Sequence, residues 1–188
     1  MKAATIFFLL VVSVTSVSAQ DTLKLPALDK SPMDMSYWPD QYPLLKFQGK
    51  VTTQPYARVI YGRPQRDGRV IFGDLIRYNE LWRLGANEAT EIEFYQNVKI
   101  GGKPVPKGKY TVYCIPAESD WTFILNRDTD SWGAFKYDIK KDVVRVKVKI
   151  KKNSIPTETF SIYFDKTATG ASMVVSWDVV SAALPISL

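Results

Sequence analysis

The sequence predicts an all-β protein, built as a single antiparallel β-sandwich of jelly-roll type with one short helix and an extended N-terminal arm. Three observations support this fold class. Short segments of alternating apolar and polar residues recur after residue 50, turn residues separate them at intervals of roughly ten residues, and one segment alone has the pattern of a helix. Many short strands with almost no helix are typical of a sandwich or a barrel.

The first 19 residues have the pattern of a cleavable signal peptide. Lys2 precedes an apolar run over residues 3–14, and the small residues 17–19 precede Gln20. The run is shorter than the roughly 20 residues that span a bilayer, and no later stretch is long and apolar enough to do so. We therefore expect export to the periplasm or beyond the cell, with no transmembrane segment.

Residues 20–49 carry prolines without any sustained periodicity. The prolines are Pro26, Pro32, Pro39 and Pro43. Such a segment is typical of extended chain rather than of regular structure. We expect residues 20–49 to form an extended arm that covers the domain, and residues 50–188 to form the β-sandwich.

The first part of the domain should contain a strand over 55–64, a turn at Asp67-Gly68 and a second strand over 69–72. Asp-Gly favours the tight turn of a hairpin. Asp74 then has the character of an N-cap, which predicts a short helix after it. The apolar side of that helix would carry Leu75, Tyr78, Leu81 and Trp82.

The later part of the domain should be built from strands alone. Apolar alternation predicts strands over 90–95, 98–100, 110–115, 121–125, 144–150, 160–164, 173–179 and 184–186. Gly101-Gly102 should supply the positive φ angles of a tight hairpin.

Composition excludes several kinds of chemistry. The chain has no histidine and a single cysteine, Cys114, so Ser-His-Asp and Cys-His catalysis, His-based metal sites and an internal disulfide are all excluded. Asp128 and Asp130 resemble half of a calcium loop, but its glycine and terminal glutamate are missing. We expect no metal site and no cofactor, and a buried thiol at Cys114.

Charge indicates the kind of partner only broadly. The net charge of +6 favours acidic partners but is too dispersed to indicate nucleic acid. Arg145, Lys147, Lys149 and Lys151 alternate along one predicted strand. This basic stripe is interpreted first as protection of an exposed strand edge, and second as a surface for an anionic partner.

The segment Trp82–Thr90 combines charged, polar and small residues more densely than any other. Residues 61–64, before this segment, and residues 132–138, after it, also combine aromatic and charged side chains. Together the three segments give the candidate ligand-binding set, which is Arg63, Arg83, Asn87, Glu88, Trp132 and Tyr137.

Three interpretations of the Trp82–Thr90 segment remain open. The preferred one is structural: Arg83 bonds to Glu88 or to backbone carbonyls, and Asn87 adopts a left-handed turn conformation. In the second, Arg83 grips an anionic ligand. In the third, Glu88 works with a second carboxylate such as Asp138.

Several motifs from about Arg58 to the C-terminus give the chain a specific resemblance. They are Arg63-Pro64, Ile71-Phe72-Gly73, Trp82-Arg83, Gly85-Ala86-Asn87-Glu88, Gly108-Lys109-Tyr110 and Trp132-Gly133. With these motifs the chain resembles the domain of unknown function family 2911, found in secreted bacterial proteins. That family has no established activity, so the resemblance implies no catalytic residues.

The leading functional hypothesis is an exported, non-catalytic module that binds an anionic or carbohydrate ligand. The absence of histidine and of any nucleophile motif motivates it. One alternative is a carboxylate-dependent hydrolase that acts on polysaccharide, and another is a structural accessory protein of the cell envelope. The sequence identifies no protein partner.

Cleavage by signal peptidase is expected after Ala19. N-terminal sequencing of the exported protein should therefore begin at Gln20, and the protein should remain in the supernatant after membranes are pelleted. Exported protein that retains Met1, or that pellets with membranes, would contradict this expectation.

Overall fold

The computed structural model describes residues 25–188, which are mostly antiparallel β-sheet, as the sequence predicts. The elements in chain order are β1 (Met33–Trp38), α1 (Tyr42–Phe47), β2 (Ala57–Gly62), β3 (Glu91–Phe94), β4 (Val98–Ile100), β5 (Lys103–Val105), β6 (Gly108–Pro116), β7 (Asp120–Asn126), a 3-10 turn (Ile139–Lys141), β8 (Asp142–Lys166) and β9 (Gly170–Ser187). No helix in this part of the chain has the length and apolarity to cross a bilayer. The predicted signal peptide lies outside the described residues.

The strands follow the order β1-β2-β3-β6-β7-β8-β9-β4-β5. The long strand β8 belongs to two sheets: residues 142–149 pair with β7, and residues from Ile150 to Lys166 pair with β9. Every strand pair is antiparallel. This arrangement is compatible with a sandwich, and the jelly-roll topology stays a prediction.

β8 and β9 each join two strands that the sequence predicts as separate. Segments 144–150 and 160–164 both lie in β8, and segments 173–179 and 184–186 both lie in β9. Two register shifts, between Lys152 and Thr157 and between Thr157 and Ser161, interrupt the β8–β9 ladder. Irregularities of this kind bend a strand without ending it, so the apolar pattern is broken while the strand continues.

Part of the predicted arm belongs to the sheet. β1 pairs with β2 along its whole length, from Met33 opposite Gly62 to Trp38 opposite Ala57. The Ser36 hydroxyl also donates to the Ile162 carbonyl at 2.6 Å, which ties β1 to β8. The strand has only six residues and is flanked by Pro32 and Pro39, so its apolar alternation is too short to indicate a strand in the sequence.

The helix predicted after Asp74 is wrong, and the helix of the described chain is α1. Residues 71–90 form turns and isolated bridges instead. Asn79 and Leu84 have positive φ angles of 64° and 57°, which an α-helix does not allow. The amides of Asn79 and Trp82 donate to the carbonyls of Pro116 and Cys114 at 2.7 Å, so β6 takes the bonds that a helix would make internally.

Both glycine turns form where the sequence places them. Gly101 and Gly102 have φ angles of 58° and 77° between β4 and β5. Asp67 and Gly68 have φ angles of 51° and 69°, and the Arg69 amide closes that turn on the Arg66 carbonyl at 3.1 Å. The turn after β2 does not lead into a strand over 69–72, so this predicted hairpin is incomplete.

The core centres on an aromatic cluster. The Trp82 ring stacks on Trp177 at 6.3 Å and meets the edges of Trp121 and Phe160 at 6.0 and 5.4 Å. All four side chains are buried. Cys114 is buried and free, and its burial raises the pKa of the thiol well above its usual range. The expectation of a buried thiol is confirmed.

The basic stripe lies mainly on the part of β8 that ends the first sheet. Three of its four cations have carboxylate partners: Arg145 pairs with Asp142 at 2.7 Å, and Lys147 and Lys149 approach Asp120 at 3.4 and 3.5 Å. In the strand order β8 lies between β7 and β9, and the first three stripe residues are in the part of β8 that pairs with β7, whereas Lys151 pairs with Ser181 of β9. Protection of a strand edge therefore stays a prediction for this stripe.

Gly62, at the end of β2, should tolerate no side chain. A Cβ there would lie 2.1 Å from the Ala86 carbonyl oxygen, which is backbone and does not yield easily. We expect Gly62→Ala to cost about 3 kcal/mol of unfolding free energy through overpacking. The melting temperature should fall by roughly 6–12 °C for a domain of this size.

Gly102→Ala provides the matched control, because a Cβ at Gly102 meets nothing within 4 Å. It should cost only about 1 kcal/mol, from the positive φ angle. Thermal melts of both variants make the comparison, and equal losses would contradict the close approach of Gly62 to Ala86.

Candidate functional site

The loop from Trp82 to Thr90 is held by its own hydrogen bonds. The indole Nε1 of Trp82 donates to the Gly85 carbonyl at 3.2 Å. The Thr90 hydroxyl donates to the Leu84 carbonyl, and the Thr90 amide donates to the Arg83 carbonyl at 3.0 Å. The loop backbone is therefore fixed, and it sets the positions of the side chains that it carries.

Arg83 has no partner for its charge within residues 25–188. Its Nε is buried and makes no hydrogen bond. Burial lowers the pKa of Arg83, and no neighbouring charge counters that effect. The preferred interpretation of the sequence, in which Arg83 bonds to Glu88 or to carbonyls, is therefore wrong.

The reason is that Arg83 and Glu88 line different cavities. Asn87, between them, has a φ angle of 60°, as the structural interpretation predicts, and this left-handed residue turns the chain. Glu88 is exposed and forms an isolated bridge with Trp132.

The central cavity brings Arg83 and Asn87 together. It has a volume of about 290 Å³, and Arg69 and Ser31 are its other principal polar residues. The Arg69 guanidinium is oriented by the carbonyls of its own turn, since its Nε donates to the Arg66 carbonyl at 3.0 Å. The remaining lining residues are Pro64, Leu75, Ile76, Gly85, Ala86 and Trp177.

An outer cavity of about 570 Å³ adjoins the central one. Lys30, Gln65 and Asp67 line it together with Ser31 and Arg69, the two residues it shares with the central cavity.

An inner cavity of about 200 Å³ also adjoins the central one. The two share Leu75, Ile76 and Arg83, and the inner cavity adds Arg77 and Glu80. These three adjoining cavities are called the Arg83 groove below.

The Arg83 groove carries three cations without a counter-charge. Among the described residues, Lys30, Arg69 and Arg83 have no carboxylate within 4.0 Å. In the inner cavity Arg77 pairs with Glu80 at 3.6 Å. The groove therefore has the electrostatic character of an anion-binding surface.

Glu88 lines a separate, acidic cavity of about 120 Å³. Glu91 and Asp130 also line it, and the ammonium group of Lys109 bridges these two carboxylates at 3.1 and 2.9 Å. The hydrogen bond from Lys109 lowers the pKa of Asp130. Asp138 does not line this cavity. Its carboxylate accepts a hydrogen bond from the Lys140 amide at 2.9 Å and caps the 3-10 turn. The structure therefore does not bring Glu88 and Asp138 together.

Arg63 lies in a structural network. Its guanidinium pairs with Asp34 at 2.8 Å and donates to the Phe160 carbonyl and the Ser161 hydroxyl, both at 3.2 Å. These bonds join β1 and β8 to the end of β2. Arg63 does not line the Arg83 groove.

Trp132 and Tyr137 also lie outside the groove. Trp132 is 63% exposed. The Tyr137 ring meets the Tyr113 ring edge-on at 5.2 Å, and its hydroxyl donates to Asp142 at 2.6 Å while accepting from Arg145. Burial, together with the hydrogen bond to Asp142, raises the pKa of Tyr137 to about 12.

Asp128 and Asp130 have lysine partners rather than the surroundings of a calcium loop. Lys141 approaches Asp128 at 2.7 Å, and Lys109 approaches Asp130 at 2.9 Å. Within residues 25–188 no group of three potential metal ligands comes together.

Sequence reasoning missed Lys30 and Arg69 as groove residues. The sequence offers one indication for Arg69, which is its position directly after the Asp67-Gly68 turn. Lys30 lies in the segment predicted as an arm, and only the fold brings it to the outer cavity.

A second missed feature is an aromatic cavity of about 490 Å³ at the other end of β1. Trp38, Tyr56 and Phe164 line it, and the Trp38 and Tyr56 rings lie 4.7 Å apart. It contains none of the predicted site residues.

Comparison with known proteins places the chain in a family. The sequence profile described as a protein of unknown function (DUF2911) matches residues 45–186. The chain belongs to this family, as its motifs indicate. No curated protein and no solved structure matches the chain.

Two arginines that the sequence treats alike should differ in their effect on stability. Arg83→Met keeps the aliphatic stem and removes a charge without a partner, so the unfolding free energy should stay within about 0.5 kcal/mol of that of the unmodified protein or rise above it. Arg63→Met removes three hydrogen bonds at a partly exposed site and should cost about 1–3 kcal/mol.

Urea unfolding of both variants measures the difference. A loss of more than 2 kcal/mol, roughly, in Arg83→Met would show that Arg83 has a structural bonding partner. The aliphatic stem is retained in both variants, so lost packing cannot account for the contrast.

Proposed function

We propose that this DUF2911 protein is an exported binding module whose ligand is anionic and is held at Arg83. The observation that supports the proposal is the half-buried side chain of Arg83, whose Nε is buried without a hydrogen-bond partner and which has no counter-charge among the described residues. A charge removed from water is costly unless it is paired and hydrogen-bonded. An anionic group of the ligand supplies that pair.

The groups around Arg83 suit a carboxylate or a phosphate. A guanidinium presents parallel N–H donors that match two oxygen atoms of such a group. The Asn87 amide and the Ser31 hydroxyl line the same cavity and add neutral hydrogen-bonding groups. Arg69 contributes a second positive charge.

The cavity is preorganised, which favours binding. Arg83 and Asn87 lie on the loop that the Trp82 and Thr90 bonds fix, and the Arg69 side chain is bound to the Arg66 carbonyl. Groups that are already ordered lose little conformational entropy when a ligand binds.

Export and the absence of catalysis belong to the same proposal. Export rests on the signal-peptide pattern of residues 1–19. A non-catalytic role rests on the lack of histidine and of any nucleophile motif in the sequence.

Calorimetric titration of the mature protein with D-galacturonate, citrate and inorganic phosphate tests the anion site. At least one of these anions should bind, and Arg83→Met should weaken that binding by about 10–100-fold, the value of one charge-assisted hydrogen-bond pair.

Lys147→Met is the matched control, because it removes one positive charge from the basic stripe and leaves the groove intact. It should bind the same anion as the unmodified protein does. Absence of binding by all three anions, or equal binding by Arg83→Met and Lys147→Met, would refute the proposal.

A further inference from the structure

We propose that the Arg83 groove takes a linear acidic oligosaccharide, with one carboxylate on each sugar, rather than a single small anion. This inference rests on the function proposed above and names its ligand class. The central cavity alone, at about 290 Å³, lies near the lower end of the range for small-molecule sites. The outer and inner cavities extend it, the outer one from Ser31 and Arg69 and the inner one from Leu75, Ile76 and Arg83.

The unpaired cations are distributed over all three cavities, as the binding of a chain with repeated negative charges requires. Arg69 lines both the outer and the central cavity, and Arg83 lines both the central and the inner cavity. Lys30 adds a third cation in the outer cavity. A chain lying along the groove therefore meets a cation in the outer cavity and one at each junction between cavities.

The other lining residues favour sugars over polyphosphate. Pro64, Leu75 and Ile76 present apolar surface that suits the carbon face of a sugar ring. Asp67 and Glu80 lie in the outer and inner cavities, where their carboxylates can accept hydrogen bonds from the hydroxyl groups of a sugar, which polyphosphate does not have along its chain.

The basic stripe on β8 is a weaker candidate for the same ligand. Arg145 lies 2.7 Å from Asp142, and Lys147 and Lys149 share Asp120. These three charges are therefore partly compensated within the protein, and Lys151 alone in the stripe has no such partner, whereas Lys30, Arg69 and Arg83 all lack one among the described residues.

The test is a calorimetric length series of mono-, di- and trigalacturonate on the mature protein. Affinity should rise at least about tenfold from the monomer to the trimer, because the trimer reaches cations that the monomer leaves free. Methyl-esterified trigalacturonate, which lacks the charges, should bind at least about tenfold more weakly than the free acid.

Lys30→Met separates the rest of the groove from the Arg83 site, because Lys30 lines only the outer cavity. It should weaken trimer binding by about 5–10-fold and leave monomer binding within about twofold. Arg69→Met should weaken the binding of both, because Arg69 lines the central cavity together with Arg83. Lys30 is fully on the surface and makes no ion pair among the described residues, so its variant tests the groove without disturbing the turn that Arg69 supports. Lys147→Met should bind both ligands as the unmodified protein does.

Equal affinity for monomer and trimer would overturn the oligosaccharide proposal and leave the anion site at Arg83 in place. Tripolyphosphate binding as tightly as trigalacturonate would overturn it in favour of polyphosphate. No binding by any member of the series overturns it as well, and the small-anion titrations then decide whether Arg83 binds an anion at all.

Discussion

The close approach of two backbone segments determines the position of the candidate site. The end of β2 at Gly62 lies against the loop at Gly85 and Ala86 so tightly that a Cβ at Gly62 or Gly85 would fall 2.1 or 2.8 Å from a backbone oxygen. This contact holds the loop against the sheet, and Trp82 and Leu84 are buried beside it. Arg83 lies between those two buried residues in the sequence, and its side chain lines the groove.

The same contact explains the structural roles of residues in the motif Trp-Arg-x-Gly-Ala-Asn-Glu. The tryptophan anchors the aromatic cluster, the glycine allows the close approach, and Asn87 turns the chain with a φ angle of 60°. These structural roles fix the backbone, and a fixed backbone holds a guanidinium where a mobile loop would not. In the proposed function, the residues that fix the backbone of this segment hold Arg83 in the cavity.

Charge compensation distinguishes the Arg83 groove from the Lys109 site and from most of the stripe on β8. Lys109 lies between Glu91 and Asp130, and the stripe on β8 lies beside Asp120 and Asp142. Composition counts all of these cations equally. The groove differs because Lys30, Arg69 and Arg83 line adjoining cavities without a carboxylate within 4.0 Å, and this property depends on packing between residues distant in sequence.

The sequence by itself determined the all-β class, most strand positions, the two turns at residues 67–68 and 101–102, and the family. These features depend on local alternation and on the φ preferences of glycine and aspartate, which act over a few residues. It predicted Arg83 and Asn87 as site residues but assigned Arg83 the wrong partner. Tertiary structure alone decided that the segment after Asp74 is not a helix, because β6 takes its amide bonds, and that Glu88 lies apart from Arg83. It also brought Lys30 and Arg69 to the groove, because burial and charge pairing are set by long-range packing.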